Sequence, residues 1–339
     1  MSDAMQSWRM VEAGRPLELQ EDPLPTPGPG EMLLRVRACG LCHTDQSFLY
    51  LGVRTNAPLP LTLGHEIIGE ANDGQLYIVP AVLPCGECEL CRRGRGNVCR
   101  KQKMPGNDIH GGFASHIVVP SRDLCPIPSS LPEPELLSVL ADAGSTAYQA
   151  VVRCGIEADK NVVVVGAGGV GGFAAQIARA LGATVCIVDV DDARLESMAP
   201  FVDACFSAKE LSGRDLKKAI AAFEEEQGLS TTSRRILECS GTAPGQDTAF
   251  GLLNHDAVLA IVGFTLDKPQ LRLSNLMAFD ATAFGNWGCL PEHYPKLLQL
   301  VQQKQVVVEP FVERKPMSQL NALLSEKHHA LRPVLIPDF

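Results

Sequence analysis

Cys85, Cys88, Cys91 and Cys99 stand in PCGECELCRRGRGNVC, a C-x2-C-x2-C-x7-C array. Four thiolates within fifteen residues can close a tetrahedral site around one zinc and leave no position for a substrate, so the spacing predicts a structural metal. The array lies among polar and glycine residues, which argues against four buried small hydrophobes. An iron–sulfur cluster, which also takes four cysteines, is the competing occupant.

Upstream stand CGLCHTD, residues 39–45, and LGHEIIGE, residues 63–70. Each is weak alone, but their order ahead of the four-cysteine array makes the set specific. Downstream, VVVVGAGGVGG places Gly166, Gly168 and Gly171 in a G-x-G-x-x-G, with Gly169 and Val170 inside it, directly after a strand and at the opening of a helix. Such glycines let the turn close, let the backbone approach a pyrophosphate and let the helix pack on the strand. The following strand, Thr184 to Val188, runs into Asp189, where a carboxylate accepts ribose hydroxyls and repels a 2′-phosphate, favouring NAD over NADP. Asp191 competes for that role but reads as a turn or cap residue. Arg194 either stacks near the adenine or is a solvated helix residue.

Two domains are the default for 339 residues, and 45% hydrophobic with 20% charged residues is ordinary for a globular chain. The first 130 or so residues are rich in Pro and Gly with short β-type runs, such as Met32 to Val36 and Phe113 to Val119, which predicts an irregular β-domain. From about Lys160 strands alternate with helices. The expected elements are strand Asn161 to Val165, a helix to Leu181, strand Thr184 to Val190, a helix from Ala193, and strands Arg235 to Glu238, Ala257 to Gly263 and Ala281 to Phe284. That alternation predicts βαβ units and a parallel sheet. A helix, Tyr294 to Gln303, and a strand-like Val306 to Val312 precede a short tail.

A net charge of −9 argues against sequence-independent phosphate binding, so nucleic acid is not an expected partner. The N-terminus does not look like a secretory signal, and the apolar run Val162 to Ala178 is interrupted by glycines and Gln176, so neither export nor a membrane is expected and a cytoplasmic location is. Twelve cysteines in that compartment point to metal rather than disulfides.

With these motifs the chain resembles, over essentially its whole length, the zinc-containing medium-chain alcohol dehydrogenases. The resemblance implies an α/β fold: a doubly wound Rossmann sheet at 146–287 and a GroES-like irregular β catalytic domain at 1–145, with its structural-zinc lobe at about 84–100, completed by about 288–339. It implies two zincs and NAD. It places Cys42 and His65 on the catalytic zinc and Asp142, in ADAGSTAYQA, at the third ligand position. Many relatives have cysteine there, but one thiolate plus one carboxylate still neutralises Zn²⁺. Glu66 would be a neighbouring group or transient fourth ligand, and Asp45 would orient the ligand imidazole. Thr44 matches the hydroxyl that takes the alcohol proton, and His43 the residue along the cofactor pyrophosphate. Ser47 stands where many relatives have the histidine that completes the proton relay. Ser240, Gly263 and Phe284 to Asn286 would border the cofactor. The stretch between Gly69 and Ile78 is shorter than in relatives.

Further stretches, including GVRTNAPLPLTLGHE, MPGNDIHGGFASHIVVP and GNWGCLPEHYP, resemble the branch that oxidises a ring allylic alcohol β to a CoA thioester. CoA phosphates would need basic groups, for which Arg54, Lys103 and Arg272 are candidates, whereas His110 and His116 read as structural. A dehydrogenase for a free benzylic or allylic alcohol would use the same zinc machinery. A non-catalytic zinc-stabilised binding module is disfavoured by the joint presence of Cys42, Thr44, His65 and Asp142. Relatives form dimers or tetramers, which makes a homo-oligomer the expectation, with Leu266 to Asn286 the expected pairing region.

Overall fold

The computed structural model describes residues 4–326 and 329–339. The chain divides into two compact units, one comprising Met1–Ser145, Gly288–Gln302 and Val307–Phe339, the other Thr146–Trp287 and Gln303–Val306.

In the first unit a three-stranded sheet sets Ala4–Met10 between Glu18–Pro23 and Leu61–Thr62. A larger sheet runs in the order Val312–Pro316, Arg332–Ile336, Glu31–Gly40, Glu66–Glu70, Leu76–Val79, Cys125–Pro126, with His116–Pro120 also paired to Glu31–Gly40. The central strand, EMLLRVRACG, shows why one face is core: Leu34, Val36 and Ala38 are buried while Arg35 is exposed and Arg37 half-buried. Leu34 and Val36 pack with Ile67, Val79, Phe113 and Leu335. The short segment after Glu66–Glu70 is a tight hairpin, closed by Ala71 N–H to Gln75 O at 2.9 Å and Gly74 N–H to Ala71 O at 2.9 Å.

The second unit is a six-stranded parallel sheet in the order Ala204–Ser207, Thr184–Asp189, Asn161–Val165, Arg235–Glu238, Val258–Ile261, Thr282–Gly285. This is the doubly wound order that reverses at its first strand. All five residues of Asn161–Val165 are buried, and the four valines after Asn161 are the β-branched run expected of a strand covered on both faces. Val163, Val165, Cys186, Val188, Ile236 and Leu259 form its core with Phe250.

Three expectations need correction. The stretch Val306 to Val312 is not a strand: Val306 and Val308 are both buried anchors, Glu309–Phe311 is a 3-10 turn around Pro310, which has no N–H for a ladder, and the strand begins at Val312. The short tail is a strand, Arg332–Ile336, seated between Val312–Pro316 and Glu31–Gly40. Of Phe113 to Val119 only the part from His116 is strand, while Phe113 bonds to Trp8 and Leu63 outside the ladder.

Candidate metal centres and nucleotide turn

Cys42 is the N-cap of the helix His43–Tyr50, in extended backbone with φ −110° and ψ 151°. Its N–H donates to Asp45 Oδ2 at 3.0 Å, three residues on, which is the reciprocal half of a capping box and fixes the thiol at the helix start. Asp45 Oδ1 accepts the Gly64 N–H at 3.1 Å and lies 3.5 Å from His65 Nδ1. One buried carboxylate therefore aligns both the Cys42 and His65 segments. Gly64, at φ +94°, has no space for a side chain: a Cβ would strike Cys39 Sγ and Phe113 at 2.8 Å. Gly111 presses on the same backbone, its notional Cβ 2.2 Å from Gly64 O.

Asp142 follows the 3-10 helix Pro134–Ala141 and precedes the helix Ala143–Arg153. The Ala141 carbonyl beside it accepts three donors: Tyr294 Oη at 2.6 Å, Ser145 Oγ at 3.1 Å and the Ala81 N–H at 3.2 Å. Tyr294 is buried, so this clamp sets where Asp142 leaves the turn.

Three separate segments thus meet. His65 Nε2 lies 3.5 Å and Cys42 Sγ 3.9 Å from Asp142 Oδ2, and all three ligand atoms are within 4.8 Å of one another. Tetrahedral zinc with ordinary bond lengths spaces N and O by about 3.4 Å and S and O by about 3.6 Å, which the set fits. His65 is fully buried and neither ring nitrogen has a hydrogen-bond partner among the described residues. Orphaned buried nitrogens are costly unless a metal takes one and a carboxylate the other, here Nε2 and Nδ1 respectively.

Glu66, next in sequence, is fully buried and held by Arg332, with Nε to Oε2 at 3.0 Å and Nη2 to Oε1 at 2.7 Å. The Ala143 N–H adds a bond to Oε1 at 3.2 Å. Burial pushes the Glu66 carboxyl up to about 7, with Arg332 pulling the other way. Burial works against the Arg332 charge, but Glu66, Cys42 and Asp142 outweigh it and raise its pKa. The balance is tidy: Glu66 and Arg332 neutralise each other, leaving Cys42 and Asp142 to neutralise a divalent cation. Sequence reasoning missed Arg332, which lies 266 residues from its partner with no local motif around it. Tyr294 was missed for the same reason.

Thr44 Oγ1 lies 3.6 Å from Cys42 Sγ, and His43 is exposed on the first helical turn. Ser47 Oγ is engaged by the His43 carbonyl at 2.9 Å, a back-bond within its own helix, so its hydroxyl proton already has an acceptor.

The four cysteines form a second cluster. Their sulfurs are 3.4 Å apart for Cys88–Cys91, 3.5 Å for Cys85–Cys99, 3.7 Å for Cys88–Cys99 and 3.9 Å for Cys85–Cys91. A tetrahedron with Zn–S arms of about 2.3 Å has edges of about 3.8 Å. A multi-iron cluster needs the sulfurs farther apart, because they ligate different irons, so the geometry excludes the iron–sulfur alternative. Arg122 donates to the carbonyls of Pro84 and Cys85 at 2.7 and 3.1 Å, tying down the lobe's entry.

In the second unit Gly166 has φ +100°, and a Cβ on Gly171 would sit 1.8 Å from Gly166 O, so the turn closes only with glycine at both positions. Gly168 is the N-cap of the helix Gly169–Ala180, with Val170 in its first turn. Asp189 accepts the Ala167 N–H at 2.5 Å and the Asp191 N–H at 2.8 Å, which ties the strand end to the glycine turn. Asp191 caps the helix Asp192–Met198, and Arg194 pairs with it at 3.7 Å. Ser240 abuts Gly166, Gly263 abuts Gly241, and Phe284 lies under the Arg153 guanidinium at 4.2 Å. Asn286 donates to Thr146 O at 3.2 Å. Among the basic candidates Lys103 is paired with Glu31 at 3.4 Å, whereas Arg54 and Arg272 are exposed and have no ion-pair partner among the described residues. His110 Nδ1 accepts the Thr62 N–H at 3.2 Å and His116 bonds Ser115 Oγ at 3.0 Å. No helix among the described residues is long and apolar enough to cross a membrane.

Comparison with known proteins agrees with this architecture. Residues 28–129 match the family described as alcohol dehydrogenase GroES-like domain, and residues 169–303 match zinc-binding dehydrogenase. The chain is 31% identical over 309 residues to L-threonine 3-dehydrogenase of Xanthomonas axonopodis pv. citri, covering 86% of each. It is 26% identical over 318 residues to L-galactonate-5-dehydrogenase of Escherichia coli, covering 90% of each. The crystal structure of an alcohol dehydrogenase from Thermotoga maritima superposes with a TM-score of 0.89 at 24% identity, covering 99% of this chain and 100% of that one.

The chain belongs to the zinc-dependent medium-chain alcohol dehydrogenase family, with a GroES-like domain and a Rossmann domain. It is an NAD(P)-dependent oxidoreductase acting on CH–OH groups of small molecules, with zinc as its metal.

Proposed function

We propose that this enzyme oxidises the ring allylic alcohol of 6-hydroxycyclohex-1-ene-1-carbonyl-CoA to 6-oxocyclohex-1-ene-1-carbonyl-CoA with NAD⁺, a step of anaerobic benzoyl-CoA degradation in the cytoplasm. The alcohol-oxidising half of this reading is carried by one observation, the convergence of Cys42 Sγ, His65 Nε2 and Asp142 Oδ2 within 4.8 Å of one another, with Asp45 facing the other ring nitrogen of His65. The substrate half is supported by resemblance in stretches such as MPGNDIHGGFASHIVVP and GNWGCLPEHYP.

Cys42, His65 and Asp142 would hold the zinc, which would supply a Lewis acid for the alcohol oxygen, and bound NAD⁺ would accept the hydride. Thr44 receives the alcohol proton. With Ser47 already bonded to the His43 carbonyl, the proton leaves from Thr44 to water rather than through Ser47. Asp45 holds His65 in the tautomer that offers Nε2. Glu66 stays with Arg332 and stiffens the site, and would act as a fourth ligand only by leaving that pair. The turn Gly166–Gly171 would hold the cofactor phosphates and Asp189 the ribose in preference for NAD, and Arg194, Ser240, Gly263 and Phe284 would line the remaining contacts. Arg54 and Arg272 are the basic groups left for CoA phosphates, since Lys103 is occupied. Cys85, Cys88, Cys91 and Cys99 hold the structural zinc.

We also propose a homo-oligomer that pairs through Leu266 to Asn286. Leu266, Leu273 and Met277 are 62–79% exposed there, and Thr282–Gly285 is the last strand of its sheet. Contiguous exposed apolar groups beside an open strand edge favour association.

A second reading, oxidation of a small free alcohol, is favoured by the names of the relatives, which act on L-threonine and L-galactonate. The test combines metal analysis with NADH formation from the CoA thioester, benzyl alcohol, L-threonine and L-galactonate. Two zincs per chain and turnover led by the CoA thioester are expected; turnover confined to the free alcohols overturns the substrate assignment.

A further inference from the structure

Glu238 ends the strand Arg235–Glu238 at the centre of the parallel sheet, beside the strand whose end forms the glycine turn. It is fully buried, and its Oε2 has no hydrogen-bond partner among the described residues. Burial pushes the Glu238 carboxyl up, with the Ser240 hydroxyl and the backbone N–H groups of Ser240, Gly241 and Gly263 pulling the other way, so the fold retains this group against a desolvation cost. None of the roles assigned above uses it.

Its neighbours show what it holds. Oε1 accepts the Ser240 N–H at 2.8 Å and also the Ser240 hydroxyl. The Glu238 carbonyl accepts the N–H groups of Val262 and Gly263 at 2.9 and 3.0 Å. A Cβ on Gly263 would lie 2.2 Å from Gly241 N and 3.0 Å from Glu238 Oε2, so residues 240–241 and 263 are stacked against this one side chain. Ser240 in turn touches the glycine turn backbone to backbone: a Cβ on Gly166 would lie 2.7 Å from Ser240 N and Cα. Contacts that close transmit a shift of a few tenths of an ångström rather than absorb it. A cradle of N–H groups for a diphosphate tolerates little such shift.

We infer that Glu238 is a positioning residue for the dinucleotide: through Ser240 and Gly263 it sets the floor on which the glycine turn closes. The carboxylate does this without touching substrate. Charge strengthens its bond to the Ser240 N–H, which a neutral acceptor makes more weakly.

The inference rests on the glycine turn being the nucleotide site, and the experiment separates the two. NADH binding is titrated by fluorescence in the zinc-loaded wild type and in Glu238→Gln and Glu238→Ala, with steady-state kinetics and Tm alongside. Glu238→Ala is expected to raise the Kd for NADH tenfold or more, and Glu238→Gln, which keeps an acceptor for Ser240, three- to tenfold. kcat at saturating cofactor and the KM for the alcohol stay within about twofold, since the metal site belongs to the other unit. Glu238→Gln carries the test if Glu238→Ala does not fold. A Tm loss with wild-type NADH affinity in Glu238→Gln overturns the inference and leaves a purely structural glutamate. Failure of the wild type itself to bind NADH overturns the nucleotide assignment instead.

Discussion

The two candidate metal sites are built in opposite ways. The four-cysteine cluster is closed within fifteen consecutive residues, by a half-exposed loop that carries all four ligands and needs from outside only Arg122 at its entry. The Cys42–His65–Asp142 site draws on a helix N-cap, the base of a hairpin and a helix junction spread over a hundred residues, with His65 fully buried and Cys42 and Asp142 half-buried. A local site can be lost without losing the enzyme's interior. A distributed site is only as good as the packing between its contributors.

Several changes would break or sharpen that contrast. The largest effect is expected from Cys42→Ser, which removes the thiolate and keeps the capping position. Turnover should fall by about a thousandfold or more, since a Lewis acid is worth several kcal/mol, with the second zinc and the fold retained. Steady-state turnover with zinc analysis checks it, and full activity would refute the ligand assignment.

Arg332→Met should come next. It leaves Glu66 as an uncompensated buried charge, a loss of about 3–5 kcal/mol of stability. The double variant Arg332→Met with Glu66→Gln should recover part of it, read as urea midpoints. If the double variant is no better than the single, the pair is not coupled as its geometry implies.

Cys88→Ser should act locally. The zinc content drops by one per chain and cleavage within residues 84–100 by protease quickens by about tenfold, equivalent to about 1.4 kcal/mol of local stability. NADH affinity in the other unit should be untouched. Global unfolding in this variant would erase the distinction drawn between the two sites.

The smallest effect is expected from Tyr294→Phe. It removes one of three donors to the Ala141 carbonyl, costing about 1 kcal/mol and a few-fold in kcat through Asp142. Equal kcat with a lowered Tm would show that the tyrosine supports the fold but not the ligand.

The two sites also differ in how far they could be read from the chain. The cysteine array announces a metal because its spacing alone satisfies a tetrahedron, and the glycine turn announces itself because sterics at Gly166 and Gly171 admit no other residue. The four consecutive valines of Asn161–Val165 likewise carry their own evidence of a buried parallel strand. Cys42, His65 and Asp142 could be picked out by resemblance, but nothing in their sequence neighbourhood says that their ligand atoms converge. The tail is the least legible part: Arg332–Ile336 is an internal strand whose partners are residues 39–40 and 312–316, and its pairing is decided by contacts no local pattern encodes.

The sequence by itself determined the ligand types, the closed cysteine lobe and the dinucleotide turn, because each depends on neighbours within a few residues. Only the tertiary structure decided that Arg332 neutralises Glu66, that Ser47 spends its hydroxyl on its own helix, and that Glu238 lies beneath Ser240 and Gly263. Those are questions of which buried charge meets which partner, and in a folded chain the answer is set by long-range packing.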